Sequence, residues 1–64
     1  MKRGKLKQHL NTHGCGFVKH GSRHDKYRNH LNGKCAYVPR HADIDTDLCT
    51  IICKQLDIPI PREK

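Results

Sequence analysis

An α+β domain is the fold this sequence predicts: a three-stranded antiparallel sheet with two helices on one face, in the order α-β-β-β-α. Three observations carry it. Leu48, Ile51, Ile52 and Leu56 recur at helical spacing near the end of the chain. Arg23 to Asn29 alternates with a period of two, as a strand does. Asn32-Gly33 lies between two strand-like stretches, where a hairpin needs its turn. The 64 residues form one domain, with a core region of about residues 5–58 and a tail of 59–64.

The elements follow in order. Lys5 to His13 carries Leu6 and Leu10 one helical turn apart on an otherwise basic segment, and Gly14 suits the left-handed position after a helix. Cys15 to His20 reads as a first strand, closed by the Gly21-Ser22 turn. In the second strand, Arg23, Asp25, Tyr27 and Asn29 fall on one face, and His24, Lys26 and Arg28 on the other. His30 to Gly33 is the hairpin loop. Lys34 to Val38 is the third strand, ended by Pro39. Asp45 is placed to cap the second helix, with Asp47 in its first turn, and Pro59 and Pro61 stop it from continuing. Phe17, Val18 or Tyr37 is expected to join Leu10, Ile51 and Ile52 in the core. The residues from Arg62 onward are expected to fray.

Charge narrows the function. Thirteen Lys and Arg against six Asp and Glu give a net charge of +7, which favours a polyanionic partner. A solvated basic surface is the plainer account of the same number. No segment joins a long apolar face to a basic one, so a membrane surface fits poorly. No apolar run approaches the ~20 residues of a membrane span. The basic start lacks an apolar signal core, so a cytoplasmic protein with reduced thiols is expected. Cys15, Cys35, Cys49 and Cys53 are read mainly as small hydrophobes, because only Cys49 and Cys53 approach the spacing of a zinc knuckle. A chain this short holds no large buried cofactor, and none is expected.

Two motifs carry chemistry. Gly21-Ser22-Arg23-His24 sets a histidine at a strand start beside a tight turn. Imidazole exchanges protons near neutral pH, as RNA cleavage by the 2′-hydroxyl requires. Lys26 and Arg28 share its face and suit a phosphate whose charge grows in the transition state. Val38-Pro39-Arg40-His41 sets an arginine just beyond a strand end, where it can clamp phosphate with two donors. Each motif alone fits surface residues with no task, and six histidines make such coincidences easy. His9, His13, His20 and His30 match no metal-ligand spacing and are read as surface residues.

Taken together, Gly21 to Asn29, Gly33-Lys34, Val38 to His41 and the helix ending Ile52 to Ile58 resemble the HicA family, over about Leu6 to Ile58. These are the toxins of HicA–HicB toxin–antitoxin pairs. The resemblance implies a double-stranded-RNA-binding-domain-like fold and metal-independent endoribonuclease activity on mRNA. It places the catalytic histidine at His24, with Gly21 and Ser22 shaping its turn. RNA contacts are expected from Arg23, Lys26, Arg28, Lys34 and Arg40. The expected partner is an acidic HicB-like antitoxin that covers the His24 face, the chain being monomeric when free. Asp57 stands where relatives often carry glycine. Two other readings remain: a non-catalytic double-stranded-RNA-binding module of the same shape, and a small zinc-dependent nucleic-acid or ribosome-associated protein.

Overall fold

The computed structural model describes residues 1–61; the expectation for the last three residues lies outside this range. Helix α1 spans Arg3–Thr12, strand β1 Cys15–His20, β2 His24–Asn29, β3 Cys35–Pro39 and helix α2 Thr46–Leu56. The strands form one antiparallel sheet in the order β1-β2-β3. Both helices cover one face of it, as the periodicity predicts.

Leu6 and Leu10 bury one stripe of α1, and Cys49, Ile52, Cys53 and Leu56 bury one stripe of α2. From the sheet, Cys15, Tyr27, Ala36 and Val38 meet them, and Ile44 fills in from the β3–α2 connection. Each fully buried aliphatic side chain contributes about 1.5–3 kcal/mol. Three of the four cysteines are therefore packing residues. Burial pushes the Cys53 thiol up to about 11, Cys49 and Cys15 adding to the rise, and it raises Cys15 too. Both thiols stay protonated and unreactive at neutral pH.

The core differs from expectation at four positions. Phe17, Val18, Tyr37 and Ile51 are all about half exposed. Tyr37 lies between the inward-facing Ala36 and Val38, so strand alternation turns it outward. Ile51 lies on the flank of α2, beside the stripe that Ile52 belongs to. Phe17 shares the covered face with Tyr27 but sits on an edge strand, touching that ring edge-on at 6.0 Å between centroids. Val18 occupies a bulge.

The hairpin loop is one residue longer than expected. It runs from His30 to Lys34, and only Gly33 has a positive φ, 77°. A two-residue turn with both central residues left-handed is therefore not what joins β2 to β3. Side-chain amides close the loop instead: Asn29 Oδ1 accepts from Leu31 N at 2.9 Å and Asn32 Oδ1 from Lys34 N at 2.8 Å. Nδ2 of each asparagine donates to Leu56 O, at 2.8 and 3.2 Å, which ties the loop to the end of α2. Asp45 precedes α2 but makes no side-chain capping bond. No helix among the described residues is long and apolar enough to cross a membrane.

Candidate functional site

Strand β2 divides its side chains cleanly. Asp25, Tyr27 and Asn29 are buried under the helices, while His24, Lys26 and Arg28 stand on the open face of the sheet. The alternation read from the sequence thus brings three of the predicted site residues together. Successive members of this row are about 7 Å apart along the strand. Across the sheet, Pro39 is opposite His24, Tyr37 opposite Lys26 and Cys35 opposite Arg28.

A bulge in β1 sets what meets β2 from the other side. Phe17 pairs with Tyr27, but Lys19 rather than Val18 pairs with Lys26, and His20 pairs with Asp25. One extra residue has been inserted, which moves every later side chain of β1 to the opposite face. Without it, His20 would oppose His24 and Lys19 would oppose Asp25.

The turn before His24 is tight. Gly21 N donates to His24 O at 2.6 Å. A β-carbon on Gly21 would lie 2.7 Å from that same oxygen, so no side chain fits there. Arg40 Nη2 donates to Gly21 O at 2.6 Å and holds the other side of the turn. Ser22, Arg23 and His24 are exposed.

Beneath the turn lies Asp25, 5% exposed. Its Oδ2 accepts from Arg3 Nη2 at 2.5 Å, and its Oδ1 from Arg40 Nε at 3.0 Å. His20 Nδ1 is 2.8 Å from Oδ1. The hydrogen bond from His20 and the bond and charge of Arg40 hold this carboxyl down at about 2, against a smaller opposing effect of burial. Arg3 also donates Nε–H to Pro39 O at 3.0 Å, which links α1 to the end of β3.

The remaining predicted residues are spread out. Arg40 belongs to the brace under the turn rather than standing as a free cation. Lys34 lies at the far end of β2, 3.8 Å from the exposed Asp57 carboxylate. Arg23 is in the turn itself and makes no ion pair among the described residues. Sequence reasoning missed His20, because the bulge that carries it to Asp25 has no signature in the alternation. His9 is not a bare surface residue either: its Nε2 is 2.6 Å from Pro59 O, and its ring packs on His13 at 4.5 Å.

The arrangement offers an exposed imidazole on a cationic sheet face, seated at the end of a rigid turn. Its environment suits a phosphodiester laid along β2. Among the described residues, no group of three or more His, Cys, Asp or Glu side chains is placed to share a metal ion. Comparison with protein-family models, with curated proteins and with solved structures finds no match to this chain.

Proposed function

We propose that this chain is an endoribonuclease of the HicA toxin kind, with His24 as its proton-transferring group. The observation that supports the reading best is the side-chain order on β2: His24, Lys26 and Arg28 share the open face, and the strand's only carboxylate is turned away from it. In the proposed reaction the 2′-hydroxyl of the substrate attacks the adjacent phosphorus. The new 2′-O–P bond forms as the P–O5′ bond breaks, leaving a cyclic phosphate and a 5′-hydroxyl. His24 transfers a proton in this exchange, either from the nucleophile or to the leaving oxygen. Lys26 and Arg28 offset the charge that builds on the phosphate oxygens. Arg40 acts indirectly, by holding the Gly21 turn that presents His24. The cationic open face also suits an acidic antitoxin of the HicB kind, which would block the site by lying over it.

The test is cleavage of one RNA by the wild type, His24→Ala and His41→Ala, with EDTA present. Loss of a general acid–base group typically costs about 10²–10⁴ in rate. His24→Ala is expected to lose about that much while staying folded, and His41→Ala much less. Full activity in His24→Ala would sink the assignment, and loss in the wild type on chelation would reject a metal-free reaction.

A further inference from the structure

The open face holds a second row beside His24. Tyr37 on β3 stands opposite Lys26, and the β1 bulge brings Lys19 opposite Lys26 from the other side. Directly opposed residues of antiparallel strands project to the same face. Lys19, Lys26 and Tyr37 therefore form one line across the sheet, about 7 Å from His24 along β2. Tyr37 is 55% exposed, whereas Tyr27, the only other tyrosine, is 2% exposed.

Two ammonium groups set directly across a strand pair repel each other. Neither Lys19 nor Lys26 has an ion-pair partner among the described residues. The three strands contain one acidic residue, Asp25, and it lies under the helices. Among the described residues nothing neutralises this row, and an anion from outside would.

We infer that the row is a platform for single-stranded RNA. Tyr37 stacks on one unpaired base, Lys19 and Lys26 hold the phosphates beside it, and the strand runs on along β2 toward His24. The choice of a single strand follows from the aromatic ring. A base inside a duplex is already stacked on its neighbours, and an A-form helix offers proteins mainly phosphates and 2′-hydroxyls. An exposed ring at the end of a row of two cations matches instead the stacking and charge of single-strand binders. The inference deepens the nuclease reading by naming its substrate class, but the binding step needs no cleavage.

Its test therefore uses a strand that does not react: a labelled, unstructured 2′-O-methyl RNA of ten nucleotides, followed by fluorescence anisotropy. Tyr37→Ala is expected to weaken binding about 5- to 150-fold, the loss of one base–aromatic stack, and Tyr37→Phe to restore it. With no tryptophan present, tyrosine emission of the wild type is expected to be quenched on binding. Lys26→Ala is expected to lower the salt dependence of affinity by close to one phosphate contact. Wild-type affinity in Tyr37→Ala would overturn the inference, as would tighter binding of a duplex of the same sequence. A failure of His24→Ala to reduce cleavage of ordinary RNA would count against the nuclease reading alone.

Discussion

At Gly21 the space for a side chain is missing altogether. The position that a β-carbon would take is 2.7 Å from the backbone oxygen of His24, in a turn already held from both sides by hydrogen bonds. Gly21→Ala is expected to push His24 out of register and to destabilise the fold by about 1–3 kcal/mol, as overpacking does. Thermal melting and the proposed RNA cleavage check this together: both are expected to fall, and an unchanged Tm with unchanged cleavage would show the turn to be compliant. This residue was legible in the sequence, because glycine-serine before a strand marks a tight turn. Lys26 and Arg28 were legible beside His24 for a similar reason, since a strand has only two faces. Arg40 was legible as important but not in its role. Its position after Pro39 suggested a phosphate clamp, and only the folded chain brings it to Asp25, 15 residues away in sequence.

Among the elements, both helices and the middle strand were readable from their periodicities, and β1 was readable in its bounds but not in its register. Its six residues, Cys15–His20, contain no alternation that reveals a bulge. The insertion becomes visible only when the partner strand supplies the register, because two-against-one pairing is a property of the pair. That single shift decides where Lys19 and His20 point. The end of helix α2 was legible too. It stops at Asp57, the position where the resemblance sets a glycine, and the φ and ψ of this aspartate are 58° and 48°. Asp57 N donates to Lys54 O and Ile58 N to Cys53 O, so the left-handed residue closes the helix as glycine commonly does. Holding a non-glycine residue there costs roughly 1–2 kcal/mol, and the added freedom of glycine in the unfolded chain takes back about 0.4–1 kcal/mol. The ion pair with Lys34 is exposed and contributes little. Asp57→Gly is therefore expected to stabilise the protein by up to about 1 kcal/mol, raising Tm by about 4–8 °C at most. A lower Tm in this variant would mean that the aspartate does more at the helix end than its geometry accounts for.

Over the whole molecule, Asp25 joins segments that are distant in sequence. Arg3 reaches it from α1, His20 from β1 and Arg40 from beyond β3, while Asp25 itself belongs to β2. The charged carboxylate is what these three partners hold, so the folded state prefers its ionised form more strongly than the unfolded chain does. That preference is the meaning of a value near 2 in place of 3.8. Above about pH 4 the carboxyl is ionised in both states, and the fold keeps the full benefit. As pH falls from about 4 toward 2, the unfolded chain takes up the proton first, and the stabilisation is lost. Asp25→Asn is expected to melt well below the wild type at pH 7, because two arginines lose their charged partner. Below pH 4 the difference is expected to shrink, since the wild type approaches the state that the amide imitates. Thermal melts of both proteins from pH 7 to pH 2 measure this directly. A gap that stays constant over that range would show that Asp25 acts through shape rather than charge. Because His24 follows the turn that Arg40 and Asp25 brace together, the same substitution is expected to lower the proposed RNA cleavage at neutral pH even at temperatures where the chain remains folded.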